Sequence, residues 1–203
     1  MKNIFLILTA LIIFGCSAGS KDQYRVEDLD YPHAINVIER QEWGWKPLEK
    51  ALPEHEITKI TIHHGGVEFR EDQNPVEEIS NLQNWSRTEK DWIDIPYHFM
   101  IDLDGNIYEA RPINYPGATN TTYDPTGHAL VEVMGNYEVQ KLSEEQLKSV
   151  IDLSAFLAKK YDVPVEEIKG HKDYAETLCP GEDLYKYLKN GAIQEAVERK
   201  LNN

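Results

Sequence analysis

His171 and Cys179 stand eight residues apart in Gly170-His171-Lys172-Asp173-Tyr174-Ala175-Glu176-Thr177-Leu178-Cys179-Pro180-Gly181, and a third candidate partner lies far upstream in the doublet His63-His64. An imidazole and a thiolate this close, with a Pro180-Gly181 turn pinning the cysteine, can bind one zinc ion, and either histidine of the doublet can complete a set of three protein ligands. Three ligands leave the fourth tetrahedral position to water, the arrangement of a catalytic site rather than a structural one. The long gap back to the doublet rules out a local finger, so such a site exists only if a complete fold assembles it. Against this stands the plainer reading that a lone cysteine is a small buried hydrophobe and that isolated histidines are surface or satisfied core residues.

The other cysteine has its own explanation. Met1-Lys2-Asn3 is a short cationic start, and Ile4 to Phe14 is an almost unbroken apolar run, too short to span a bilayer and suited to a signal-peptide core. It ends in Ile13-Phe14-Gly15-Cys16, which resembles the lipobox of bacterial lipoproteins, where the cysteine is acylated and becomes the mature N-terminus. The chain is expected to divide into a lipoprotein signal peptide (1–15), a flexible tether (16–35) and one folded domain (36–203). An ordinary secretory signal with a chance cysteine is the alternative. With lipid on Cys16 and metal on Cys179, no disulfide can form within the chain.

Charge narrows the partners. Acidic residues outnumber basic ones 35 to 21, a net charge of -14, which repels nucleic acid and anionic lipid surfaces alike. The 203 residues, 41% of them hydrophobic, suffice for one well-buried core after the leader is removed.

The domain reads as mixed α/β. Asn74-Pro75 starts a helix whose Val76, Ile79, Leu82 and Trp85 share one face. Strands are expected at Ile57 to Ile62, Tyr97 to Ile101, Ile107 to Glu109 and Ala129 to Met134, with Asp104-Gly105 as a turn. Ser143-Glu144-Glu145-Gln146 is a capping box opening a helix to about Tyr161, and Leu184 to Leu201 is helical with an interruption near Asn190-Gly191. This order predicts one central mixed sheet covered by helices, with the zinc site at its edge.

Taken in order, these pieces resemble the type-2 N-acetylmuramoyl-L-alanine amidases, the family that includes animal peptidoglycan-recognition proteins and phage amidases. The resemblance runs from about Val37 to Tyr187. It is carried by Arg40-Gln41-Glu42-Trp43-Gly44, Ile62-His63-His64, Asp94-Ile95-Pro96-Tyr97-His98-Phe99, Asp102 to Arg111, Gly135-Asn136-Tyr137, Gly170-His171-Lys172-Asp173 and Cys179-Pro180-Gly181.

The resemblance implies that His63, His171 and Cys179 hold one Zn2+ ion, with His64 on the opposite face of its strand. It places Tyr97 beside the zinc-bound water and Thr177 where a hydroxyl can stabilise a tetrahedral oxyanion. It matches Glu132 to the glutamate that bacterial anhydro-muropeptide amidases keep near zinc, so that Glu132 or Tyr97 would be the general base; a salt-bridged or edge-exposed glutamate is the alternative for Glu132. Arg111, Asn114 and Tyr115 flank the expected groove as substrate contacts. The implied reaction is hydrolysis of the amide joining N-acetylmuramic acid to L-alanine of the stem peptide, with peptidoglycan or muropeptide fragments as partner. A lipid on Cys16 would hold the enzyme in the bacterial envelope, and Ser17, in place of a retention-associated aspartate, favours the outer membrane. A non-catalytic peptidoglycan-binding module and a zinc peptidase acting on the stem are the competing functions. The sequence departs from the family at Ser86, at Thr119-Asn120 and at His128-Ala129-Leu130, positions that bear on sugar and peptide contacts.

Overall fold

The computed structural model describes residues 24–50 and 52–203. The signal segment, Cys16 and the first part of the tether lie outside the described residues. Six strands, β1 (Val37–Ile38), β2 (Lys59–His64), β3 (Phe99–Ile101), β4 (Ile107–Glu109), β5 (His128–Val133) and β6 (Ile168–Gly170), form one sheet in the order β1-β4-β3-β5-β2-β6. All neighbours run parallel except the β3–β4 pair, which is antiparallel. This is the expected mixed sheet.

The two longest strands lie deepest. Lys-Ile-Thr-Ile-His-His buries all but its first residue and His-Ala-Leu-Val-Glu-Val buries every one, as interior strands with both faces covered must. On one face Ile60, Ile62, Ala129, Val131 and Val133 join a large core with α2 (Glu144–Tyr161), α3 (Glu182–Lys189) and α4 (Ala192–Leu201). The opposite face, with Met100 and Tyr108, meets Ile79 of α1 (Pro75–Thr88), Trp43, Phe69 and Ile95. Each isoleucine so buried contributes roughly 1.5–3 kcal/mol relative to exposure.

Local chemistry sets the ends. The Asn74 side chain accepts from the Val76 N–H at 2.9 Å to begin α1, and Ser143 and Gln146 form both halves of the capping box on α2. The Asp102 carboxylate takes the N–H groups of Asp104 and Asn106 and the hydroxyl of Tyr108, closing the turn between β3 and β4. Two strands carry no sequence signal: β1 has only two residues, and β6 is Ile168-Lys169-Gly170, a single apolar residue ahead of a lysine and a glycine.

One expectation is corrected. Residues 24–35, assigned to the flexible tether, pack on the domain. The Arg25 N–H donates to the Tyr115 hydroxyl (3.1 Å), the Asn114 side chain bridges Arg25 and Glu27, and Tyr31 donates to Glu109. Leu29, Tyr31 and Ile35 lie against the large core. These three apolar side chains, spaced between charged residues, are what dock the segment.

Candidate functional site

Register places the site. His63 is paired with Glu132, and Glu132 with Met100, so these side chains share one face of the sheet at the carboxyl ends of their strands. His64, one residue on, points to the other face, where its Nδ1 accepts from the Tyr137 N–H at 3.2 Å. β6 runs beside β2, and His171 follows it directly in a short 3-10 turn, which brings it to His63. The loop after that turn is tied back by the Lys172 N–H on the Cys179 carbonyl (2.9 Å) and the Gly181 N–H on the Leu178 carbonyl (2.7 Å). Gly181, at φ +87, could carry no side chain, since a Cβ would lie 2.5 Å from the Tyr137 backbone.

The three candidate ligands meet. One donor atom each from His63, His171 and Cys179 lies within 4.8 Å of the others, and all three residues are buried. The imidazoles stand 4.5 Å apart between centroids. Cys179 Sγ sits 3.6 Å from His63 Nδ1. Two donors at tetrahedral angles on one ion, with metal–sulfur and metal–nitrogen bonds of about 2.3 and 2.0 Å, stand about 3.5 Å apart, close to the observed separation. The donor set therefore fits a shared metal.

Burial makes these groups neutral. It drives the His63 imidazole well below its ordinary value, aided by His171 beside it, and lowers His171 to about 4. The same burial pushes the Cys179 thiol up to about 12, against the opposing hydrogen bond from the His64 N–H at 3.3 Å. The imidazoles offer lone pairs at neutral pH, whereas the thiol must release a proton to become a ligand.

A cleft of about 470 Å³ opens over His63 and His171. Tyr97, Glu132 and Thr177 all line it. The Tyr97 ring lies 5.2 Å from that of His63, and burial keeps its phenol protonated far above the usual range. Thr177 Oγ1 accepts the Cys179 N–H at 3.2 Å, which leaves its hydroxyl hydrogen for another acceptor. Glu132 is neither salt-bridged nor at an edge: it is 2% exposed on an interior strand, and Oε2 has no hydrogen-bond partner among the described residues. Burial, with Glu78 adding to it, raises its carboxyl well above the ordinary carboxylate range. Phe69, Leu82, Trp85 and Trp92 give the cleft an apolar wall.

Arg111, Asn114 and Tyr115, expected as substrate contacts, do not line this cleft. Arg111 is 2% exposed and donates to the carbonyls of Ile95 (2.8 Å), Asp94 (3.0 Å) and Pro116, clamping the segment that carries Tyr97. Asn114 and Tyr115 hold the 24–35 segment instead. A buried polar side chain needs partners, and here backbone groups supply them.

Thr121 and Tyr123 also meet the histidines, though no motif in the sequence marks them. Thr121 Oγ1 is 2.8 Å from His171 Nε2, and the Tyr123 hydroxyl is 3.4 Å from His63 Nε2. His63 turns Nδ1 to Cys179, so its Nε2 is the nitrogen free for an orienting partner, and Thr121 has the same relation to His171 where that ring ligates through Nδ1. The one available signal was a polar run, Thr119 to Tyr123, placed just before a strand that carries a glutamate.

Known proteins resemble this chain over most of its length. The family described as N-acetylmuramoyl-L-alanine amidase matches residues 53–182. Peptidoglycan recognition protein 1 of Mus musculus is 28% identical over 163 residues, covering 76% of this chain and 86% of the mouse protein. The ectodomain complex of peptidoglycan recognition proteins LCa and LCx, solved with tracheal cytotoxin bound, superposes with a TM-score of 0.67 at 26% identity, over 76% of this chain and 95% of that one. The amidase LysC of Clostridium intestinale shares the fold, with a TM-score of 0.63 at 24% identity, over 77% and 95% of the two chains. With the family match spanning well over half of its residues, the chain belongs to the N-acetylmuramoyl-L-alanine amidase family that also takes in the peptidoglycan-recognition proteins.

Proposed function

We propose that the protein is a zinc-dependent amidase that hydrolyses the bond between N-acetylmuramic acid and L-alanine of the peptidoglycan stem. The carrying observation is the convergence of His63, His171 and Cys179, buried and within 4.8 Å, beneath a cleft that Tyr97, Glu132 and Thr177 also line. A recognition module needs the cleft alone; it has no use for three clustered donors.

His63, His171 and Cys179 would hold the ion, and zinc, when bound, supplies a Lewis acid and a water of lowered pKa. The chain's own groups do the rest. Glu132, whose Oε2 has no hydrogen-bond partner among the described residues, takes the proton of the attacking water and returns it to the departing amine. Burial raises its pKa, which favours holding the proton between the two transfers. Tyr97 keeps its proton and donates a hydrogen bond to the scissile carbonyl oxygen as charge develops there, and Thr177 offers its free hydroxyl hydrogen to the same oxygen. The apolar wall from Phe69 to Trp92 takes the less polar faces of sugar and peptide.

The likeness to a recognition-protein complex that holds tracheal cytotoxin supports a muropeptide in this cleft. Lipid on Cys16 would place the domain in the bacterial cell envelope, at the outer membrane, close to wall polymer and its fragments.

Mass spectrometry of purified muropeptides incubated with the zinc-loaded protein tests the assignment. Free stem peptides beginning at L-alanine are expected. Muropeptide binding without cleavage would make the protein a recognition module, and cuts inside the stem would make it a peptidase.

A further inference from the structure

The hydroxyls of Thr119 and Thr121 form a chain whose direction can be read. Thr121 Oγ1 is 2.8 Å from His171 Nε2 and 2.8 Å from Thr119 Oγ1, and the Thr121 N–H donates to Thr119 Oγ1 at 3.1 Å. Both threonines line the cleft. A neutral imidazole carries one proton, and a ring nitrogen that donates a lone pair to a metal cannot hold it. If His171 ligates through Nδ1, the proton is on Nε2 and is donated to Thr121. The Thr121 hydroxyl, its oxygen accepting, then gives its own hydrogen to Thr119. Thr119 Oγ1 now accepts twice, from that hydroxyl and from the Thr121 N–H, so its hydrogen is the one left without an acceptor.

We propose that Thr119 and Thr121 form a hydroxyl relay that fixes the metal-binding tautomer of His171 and presents the Thr119 O–H as a donor for a carbonyl oxygen of the muropeptide. Thr121 is a positioning residue, acting through His171; Thr119 touches the substrate. The proposal rests on the zinc-amidase reading for the identity of the metal and the ligand.

The relay has a thermodynamic consequence. The reverse polarity, with Thr121 donating to a bare Nε2, would put the proton on Nδ1 and close His171 to a metal. A carbonyl accepting from Thr119 favours the metal-binding direction. A metal on Nδ1 in turn leaves Thr119 as a donor. Metal and acceptor ligand therefore strengthen one another by the same factor, as linkage requires.

The test measures zinc affinity by chelator competition and muropeptide affinity by calorimetry, on the full chain, with Thr121→Val, Thr121→Ser and Thr119→Val beside the wild type. Thr121→Val should weaken zinc by about 10- to 100-fold and shift the visible spectrum of the cobalt-substituted protein, and Thr121→Ser should restore both. Thr119→Val should leave the cobalt spectrum in place, weaken muropeptide binding by about tenfold and abolish the gain in zinc affinity that the muropeptide brings. Wild-type zinc affinity and cobalt spectrum in Thr121→Val, or unaltered muropeptide binding in Thr119→Val, would overturn the relay and leave the amidase standing. Both effects in a wild type that binds zinc without cleaving would keep the relay and remove the amidase. A wild type that binds no zinc overturns both.

Discussion

Cys179 Sγ and His63 Nδ1 face each other at 3.6 Å across 116 residues of chain. Neither has a local reason to be there. The contact exists because β6 docks beside β2 and the loop after it folds back over the end of β2, which makes the pair a readout of the complete fold. Cys179→Ser replaces a soft donor by a hydroxyl that binds zinc poorly. Zinc affinity should fall by more than the roughly 100-fold that loss of a supporting partner costs. Zinc at 100 times its Kd should stabilise the wild type by about 2.7 kcal/mol, and this increment should vanish in the variant. Thermal melts with and without zinc give the answer, and an equal rise in both proteins would remove Cys179 from the ligand set.

Glu132→Gln separates chemistry from stability. The glutamine is isosteric and removes a buried acid whose Oε2 has no partner, so unfolding free energy should change by less than about 1 kcal/mol. Hydrolysis should nonetheless drop by at least about 100-fold, because an amide cannot carry the proton. Urea unfolding and initial rates on one preparation decide it. A rate near wild type would reduce Glu132 to a packing residue.

The space for that carboxyl is made by Gly65. An added Cβ there would lie 2.8 Å from Glu132 Oε1, with the Gly135 carbonyl at 3.5 Å behind it. Gly65→Ala must therefore push Glu132 aside while sparing all three donor residues. We expect turnover to fall about tenfold or more, as small misplacements at a reacting centre do, with zinc affinity unchanged. A parallel loss of zinc would show that the damage had spread to His63.

Much of this was legible in the chain. The strands that mattered, β2 and β5, were long and apolar enough to read, and the caps at Asn74 and Ser143 marked their helices to the residue. His171, Cys179 and the His63-His64 doublet stand out because thiol and imidazole advertise metal chemistry by type, while the choice of His63 within the doublet rests on the family resemblance. Arg111, Asn114 and Tyr115 misled because position near a groove was read without knowing which way each side chain turns. Arg111 points into the protein and spends its donors on three carbonyls. Thr121 and Tyr123 stayed hidden for the opposite reason: a hydroxyl is common in loops, and only the fold sets it against a ring nitrogen of His171 or His63.

Asn114 tests the corrected role directly. Its side chain donates to the Arg25 carbonyl (3.0 Å) and accepts from the Glu27 N–H (3.2 Å). Asn114→Ala should cost about 1 kcal/mol of stability by stripping two partly buried backbone partners. Protease sensitivity before Tyr31 should rise, while KM and kcat on muropeptides stay at wild-type values. A raised KM with unchanged stability would return Asn114 to the substrate site.

Acid should unfold the metal-free protein through its histidines. His63 and His98 are driven well below the ordinary imidazole value, His64, His128 and His171 are lowered to about 4, and His55 is lowered too, burial being the largest cause in each. In the unfolded chain the same groups titrate near 6.5. As pH falls, the unfolded state therefore takes up protons first, and stability must fall with it. The contribution is fully present above about pH 6.5 and is lost between there and about pH 4. The fully buried His63 and His98 steepen the fall most, and His55, His64, His128 and His171 contribute less because solvent screens them. Urea unfolding of the chelator-treated protein at pH 7.5, 6 and 5 should show a steep, monotonic loss. Zinc should flatten the upper part of the curve, because a metal on His63 and His171 competes with their protonation. Equal stability at pH 7.5 and 5 without metal would mean that these rings reach water far more freely than their burial implies.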